Sequence, residues 1–121
     1  MKQEKDFWFD VGPLHAIPPR GARTVRTPRR EIAIFRTAGD EVFALENRCP
    51  HKGGPLADGI VSGESVVCPL HGWKINLACG SVDRPADTGA CIETYPVRID
   101  NGIIVVGLPA SFAPKEAGAA A

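Results

Sequence analysis

Two short segments constrain this chain more than any other feature. One reads Cys49-Pro50-His51 and the other reads Cys68-Pro69-Leu70-His71, with sixteen residues between the two segments. Each segment pairs one cysteine with one histidine, and each contains a proline whose fixed φ narrows the conformations of the loop. Thiolates are soft, charged ligands, whereas neutral imidazoles carry no charge. The four side chains therefore suit a metal centre with a sulfur side and a nitrogen side.

This donor set favours an iron–sulfur cluster. With two thiolates on one iron and two neutral imidazoles on the other, an oxidised [2Fe–2S] core is neutral and easier to reduce than a four-thiolate core. A structural Cys₂His₂ zinc site is one alternative, but the chain lacks the C-x₂₋₄-C or H-x₃₋₅-H spacing of such sites. A thiol nucleophile with a histidine base is another, although two matched copies exceed what that role needs. The pattern predicts that Cys49, His51, Cys68 and His71 bind one [2Fe–2S] cluster per chain.

Glycines accompany both segments. Gly53 and Gly54 follow the first, and Gly72 follows the second. We expect them to let the backbone approach the cluster and to offer N–H groups to its sulfur atoms.

The rest of the chain has the pattern of an all-β domain. Its 13 glycines and 11 prolines fall between short apolar runs, and no stretch shows sustained helical periodicity. Hairpin turns are predicted at Gly39-Asp40 and Asn101-Gly102, and a single helical turn within 55–60. The predicted strands cover 6–11, 31–36, 41–46, 65–68, 72–76, 92–100 and 103–106.

Composition and charge narrow the function and the location. The 14 basic and 14 acidic residues give zero formal net charge, which argues against a nucleic-acid partner. No apolar run reaches the ~18 residues that a membrane span needs, and the N-terminus lacks a secretory pattern, so we expect no membrane association and a cytoplasmic protein. In that compartment Cys79 and Cys91 are expected to be small buried hydrophobic side chains. The alternative is that one of them is a redox-sensitive surface thiol. Early arginines, between 20 and 36, indicate a solvated surface or a docking patch for an acidic partner.

The two segments resemble the Rieske iron–sulfur signature, C-x-H followed by C-x-x-H. The likeness extends over 47–80 and 87–98, and the runs 32–37 and 42–45 also fit. Together these stretches look like the small subunit of assimilatory NAD(P)H-dependent nitrite reductase.

The resemblance implies both a fold and a role. The fold would be a Rieske-type antiparallel β-sandwich or barrel base with a small two-loop cluster-binding subdomain at about 46–80, within a domain of 1–108 followed by a flexible tail of 109–121. The partner would be a large subunit with FAD, a [4Fe–4S] cluster and sirohaem that reduces nitrite to ammonium. The present chain would transfer electrons without being catalytic alone, since it has no Gly-rich dinucleotide fingerprint.

A second role suits the same signature. A free-standing Rieske ferredoxin would take electrons from a reductase and deliver them to a ring-hydroxylating or related oxygenase. The chain is too short to be such an oxygenase itself, which would need a further domain with a mononuclear iron site.

Departures from the high-potential Rieske proteins predict a low reduction potential. Those proteins form a disulfide between their two loops, at positions that correspond to Gly54 and Leu70, and they place a serine hydroxyl where Trp73 stands. With fewer hydrogen bonds to sulfur, an added electron is less stabilised. Trp73 is expected to shield the cluster.

Overall fold

The structure is a computed structural model that describes residues 7–49, 54–69, 72–85 and 88–108. Within these ranges the chain forms eleven β-strands and no α-helix, and two 3₁₀ helices cover Leu14–Ala16 and Leu56–Asp58. The prediction of an all-β domain is confirmed. The strands are β1 (Phe7–Pro13), β2 (Ala22–Arg26), β3 (Glu31–Arg36), β4 (Val42–Glu46), β5 (Ile60–Ser62), β6 (Ser65–Val67), β7 (Lys74–Asn76), β8 (Val82–Arg84), β9 (Thr94–Tyr95), β10 (Val97–Asp100) and β11 (Ile103–Leu108).

The strands form three antiparallel sheets. The first has the order β1-β11-β10, the second β2-β3-β4-β9 and the third β5-β6-β7-β8. The third sheet contains the strands that follow the first cysteine segment and flank the second. It overlaps the range of about 46–80 expected for the cluster-binding part, although β8 lies beyond that range. The other two sheets are called the base below.

Strand β3 lies at the centre of the packing because both of its faces are buried. Side chains alternate between faces along a strand. Ile32 and Ile34 pack with residues of the first sheet in a base cluster, whereas Ala33 and Phe35 pack toward the third sheet in an inner cluster. Burial of each of these isoleucines and of Phe35 contributes roughly 1.5–3 kcal/mol to the stability of the fold. The middle sheet thus joins the base core to the site-bearing sheet.

Two predicted hairpins are confirmed at the turn residues. Asp40 has φ 68° between β3 and β4, while Asn101 and Gly102 have φ 53° and 79° between β10 and β11. Positive φ at two successive residues is the signature of a type I′ turn, which Asn-Gly favours. The predicted helical turn within 55–60 is also present, as the 3₁₀ helix Leu56–Asp58.

The predicted strand over 92–100 was wrong as a single strand. Tyr95 pairs with Ala44 in the second sheet, whereas Val97 pairs with Val106 in the first. Pro96 lies between them, and because proline has no N–H it interrupts the pairing. The chain crosses from one base sheet to the other at this residue.

Three strands were not predicted. They are β2, β5 and β8, at the edges of their sheets, where exposed polar residues weaken the alternation that identifies a strand. Strand β2 pairs with β3 along its whole length, and its Arg23 and Arg26 are exposed. None of the helices in the described ranges has the length and apolar character that a membrane crossing requires. The tail of 109–121 lies outside the described residues.

Candidate metal centre

The first candidate loop begins at Cys49, just after β4. The side chain of Cys49 is buried, with 1% exposed. Its backbone N–H donates a hydrogen bond to the carbonyl oxygen of Gly54 at 2.8 Å, and this bond closes the loop. Residues 50–53 lie outside the described residues, and the predicted ligand His51 is among them.

The second candidate loop begins at Cys68, just after β6. Cys68 is buried, with 3% exposed, and its N–H donates to the carbonyl oxygen of Trp73 at 2.7 Å. Residues 70 and 71 lie outside the described residues, so the predicted ligand His71 is not described. Strand β7 begins immediately after this loop, at Lys74.

The two loops share one backbone design. In each, the cysteine N–H bonds the carbonyl five residues further along the chain, from Cys49 to Gly54 and from Cys68 to Trp73. Both cysteines then contribute to the same inner cluster, with Leu56, Val66 and Ile75 among its members. The structure therefore brings the two predicted sulfur ligands into one core from two similarly closed loops.

Gly72 helps to close the second loop through its backbone. It has φ +74°, in the left-handed region that glycine adopts without strain. Its N–H donates to the carbonyl oxygen of Cys68 at 3.1 Å, so it tightens the loop. The expectation that this N–H bonds a cluster sulfur stays a prediction.

Asn47 holds the first loop in place, a role that sequence reasoning missed. Its side-chain oxygen accepts the N–H of Ala57 at 2.8 Å, and its side-chain nitrogen donates to Glu31 at 3.3 Å. These contacts connect Asn47, just before the loop, to the 3₁₀ helix after the loop and to the first residue of β3. Asparagine commonly bonds nearby backbone in turns, but a partner ten residues away is not readable from sequence.

The surroundings of the two cysteines are apolar. Among the described residues, the inner cluster consists of aliphatic, aromatic and cysteine side chains, with partly buried Trp73 packed against it. Thr37 and Ser65 are the buried polar residues of the described chain, and neither belongs to this cluster. Trp73 therefore covers part of the hydrophobic cluster that contains the two thiols. That it shields a bound [2Fe–2S] group stays a prediction.

Cys79 and Cys91 contradict the expectation that they are buried. Both are exposed, and all four cysteines are outside disulfides. Cys79 lies in the turn after β7, and Cys91 forms an isolated bridge with Ser81. They are separate from the buried pair and are not part of the candidate centre.

These features fit a [2Fe–2S] group. Two buried thiols without a disulfide, in one apolar core and at the start of two hydrogen-bonded loops, are a suitable sulfur side, while the His51 and His71 ligands stay a prediction. When bound, such a group accepts and donates one electron at a time. Loops of this kind on an antiparallel β base define a small iron–sulfur electron-transfer protein.

Comparison with known proteins identifies the family. The Rieske [2Fe-2S] domain profile matches residues 7–96, a range that includes both loops and strands of all three sheets. The chain belongs to the Rieske [2Fe-2S] domain family and is a Rieske electron-transfer protein. Its cofactor is a Rieske-type [2Fe–2S] cluster.

Relatives by sequence include larger enzymes and small carriers. The chain is 36% identical over 107 residues to a 4beta-methylsterol monooxygenase of Methylococcus capsulatus, a match that covers 82% of this chain but 29% of that protein. It is 33% identical over 94 residues to the ferredoxin component of the naphthalene 1,2-dioxygenase/salicylate 5-hydroxylase systems of a Ralstonia species. That match covers 78% of this chain and 88% of the ferredoxin component.

Solved structures share the fold. A protein from Mycobacterium tuberculosis, proposed to be an NADH-dependent nitrite reductase small subunit, superposes with a TM-score of 0.78 at 23% identity, covering 89% of this chain and 99% of that one. A chain from a complex of reduced oxygenase and oxidized ferredoxin in carbazole 1,9a-dioxygenase superposes with a TM-score of 0.76 at 25% identity. This match covers 84% of the present chain and 94% of the other.

Proposed function

We propose that this protein is a Rieske ferredoxin, a mobile carrier that takes single electrons from a reductase and delivers them to a ring-hydroxylating or related oxygenase. The observation that carries the proposal is the match to a dioxygenase ferredoxin component at 33% identity over 88% of that component's length. The match to the monooxygenase, by contrast, spans 29% of the enzyme.

The described part of the site suits a carrier because it brings together the two buried thiols that would hold the redox group. The buried thiols lie in an apolar core, and no described cluster of histidine, cysteine and acidic side chains offers another metal site. Substrate oxidation would then take place on the oxygenase. The family-level role, single-electron transfer, is common to both candidate functions.

The second candidate is the small subunit of an assimilatory NAD(P)H-dependent nitrite reductase. It is favoured by the sequence resemblance over 47–80 and 87–98. The fold is also that of the proposed nitrite reductase small subunit, with a TM-score of 0.78. At 23% identity that superposition supports the fold alone. We rank it below the ferredoxin, whose sequence match covers most of both chains.

Purification from the native source separates the two candidates. A tagged, chromosomally expressed chain purified without oxygen should elute near its own mass of 12.9 kDa, with the brown absorption of the cluster and without sirohaem. A ferredoxin binds its partners transiently, whereas a subunit is isolated with its large partner. Co-elution with a sirohaem flavoprotein would overturn the ferredoxin and establish the nitrite reductase subunit.

We also propose that the cluster has a low reduction potential. An apolar environment disfavours the negative charge that reduction adds to a neutral core. In addition, the N–H groups of Cys49, Cys68 and Gly72 bond carbonyl oxygens within the loops. The midpoint should lie toward the lower end of the roughly −150 to +300 mV range of Rieske centres. A redox titration that finds a strongly positive midpoint would contradict this.

A further inference from the structure

Two exposed thiols are neighbours of one serine, Ser81, which lies between β7 and β8. The Sγ atom of Cys79 is 3.1 Å from the Oγ atom of Ser81. Ser81 in turn forms an antiparallel bridge with Cys91. The N–H of Ile92 bonds the carbonyl oxygen of Gly80 at 2.9 Å, which makes Ser81 and Cys91 a non-hydrogen-bonded pair. Opposing side chains approach most closely in such pairs, at a Cα separation of about 4.5 Å.

The backbone builds this proximity. Gly80 has φ +80°, and a Cβ added there would collide with the carbonyl oxygen of Ile92, so the two segments are in direct backbone contact. The turn that carries Cys79 is held by Asn76, whose side-chain oxygen accepts the N–H groups of Ala78 at 2.8 Å and Cys79 at 3.1 Å. Backbone contacts and turn hydrogen bonds therefore hold both Cys79 and Cys91 beside Ser81.

The exposure of the pair is unusual for cysteine, which is among the residue types most often buried. Neither thiol packs in the core, forms a disulfide or belongs to the candidate metal centre. Exposed thiols are open to exchange with small disulfides. We propose that Cys79 and Cys91 form a second redox site, a dithiol that a small-molecule disulfide of the oxidised-glutathione type converts to an intramolecular disulfide.

The proposed reaction is a two-electron exchange. The thiolate of one cysteine attacks oxidised glutathione, forming a mixed disulfide and releasing one glutathione thiolate. The second cysteine thiolate then attacks the protein sulfur of the mixed disulfide. The Cys79–Cys91 bond forms, and the second glutathione leaves. Two electrons pass from the protein to oxidised glutathione, and the two thiol protons end on two molecules of glutathione.

A peptide mass experiment tests the proposal. Trypsin cleaves after Lys74 and Arg98 but not between Arg84 and Pro85, so the single peptide 75–98 carries both thiols and neither Cys49 nor Cys68. The holoprotein is incubated without oxygen with oxidised glutathione, alkylated with N-ethylmaleimide under denaturing conditions, and digested. We expect the peptide to be unalkylated and two hydrogens lighter. Without oxidised glutathione it should carry two maleimides.

The Cys91→Ser variant is the matched control. Its Cys79 has no resolving thiol, so the reaction should stop at one bound glutathione on the same peptide. Visible absorption of the cluster, recorded before digestion, verifies that the metal centre is intact. The proposal is overturned if the wild-type peptide still takes up two maleimides. It is equally overturned if that peptide carries glutathione on each cysteine without an internal bond.

Discussion

Burial divides the four cysteines into two pairs with different chemistry. Cys49 and Cys68 are almost completely buried in the inner cluster, whereas Cys79 and Cys91 are exposed. Since both members of the buried pair begin loops that contain a histidine, they are the predicted sulfur ligands. The exposed pair offers internal controls for that assignment.

Replacing one buried cysteine should abolish the cluster. In Cys68→Ser we expect iron and acid-labile sulfide to fall to near zero, because a serine oxygen is a poor substitute for a soft thiolate. The measurement is iron and sulfide per chain after anaerobic purification. Cys91→Ser should keep the full content. Equal content in both variants would show that Cys68 is not a ligand.

The charge of the ligands should influence the reduction potential of the cluster, and changing one histidine tests this. In His71→Cys a neutral imidazole is replaced by a negative thiolate, so the midpoint potential should fall by on the order of 100 mV if the cluster still forms. Redox titration followed by visible absorption measures the shift. A midpoint equal to that of the wild type would refute the argument.

Tyr95 is the one tyrosine of the chain, so its ionisation can be assigned without ambiguity. Burial, followed by the nearby charge of Glu93, raises the pKa of Tyr95 to about 12, although Arg30 acts in the opposite direction. Near-ultraviolet titration of the folded protein should show little tyrosinate at pH 10, whereas the denatured chain should be half ionised there. Half ionisation near pH 10 with circular dichroism still native would contradict this.

The raised pKa of Tyr95 also determines the direction in which the stability of the protein changes with pH. The unfolded chain loses the tyrosine proton first, so the contribution of Tyr95 is fully present below pH 10 and is lost as the pH rises toward about 12. In Tyr95→Phe the free energy of unfolding should fall less steeply across that window.

At the scale of the elements, backbone contact fixes how the segment after β7 meets the segment before β9. A glycine-to-alanine comparison tests this. Gly80 and Gly63 both have positive φ, but an added Cβ at Gly80 collides with the carbonyl oxygen of Ile92, whereas at Gly63 it meets nothing within 4 Å. Gly63→Ala should cost about 1–2 kcal/mol of unfolding free energy. Gly80→Ala should cost a further 1–3 kcal/mol or so.

Urea denaturation of both variants measures the difference through the shift of each midpoint. Equal losses in the two variants would indicate that the contact between Gly80 and Ile92 relaxes without cost.

The elements also show which parts of the fold are readable from sequence. The Asn101-Gly102 hairpin and β3 were predicted because turn chemistry and a continuous apolar run are local signals. Strands β2, β5 and β8 were missed because each is stabilised by one neighbouring strand instead of by its own pattern. The change of sheet at Pro96 depends on tertiary pairing in the same way.

The candidate site could be predicted from the sequence to an extent similar to that of the fold. The spacing of the cysteine segments predicted a two-loop centre, and the structure places Cys49 and Cys68 in one core. The support from Asn47 and the contact between Cys79 and Ser81 were not predictable, since both depend on how distant turns fold. Cysteine is usually buried, and this average tendency led to the wrong expectation for Cys79 and Cys91, which are exposed.

At the scale of the whole molecule, the three sheets pack into two hydrophobic clusters, the base cluster and the inner cluster. The two base sheets form a core of their own, and the second sheet uses its other face to pack against the third. The two predicted sulfur ligands, Cys49 and Cys68, lie in the inner cluster between the second and third sheets. The candidate centre is therefore tied to both of these sheets.

We predict that one [2Fe–2S] cluster is held by sulfur on one iron and by imidazole nitrogen on the other. The most direct test is pulsed EPR of the anaerobically purified, dithionite-reduced protein, grown with ¹⁵N-labelled histidine. We predict a spin-one-half signal coupled to two histidine nitrogens, from His51 and His71. A signal without histidine coupling, or a single mononuclear metal ion, would contradict the assignment.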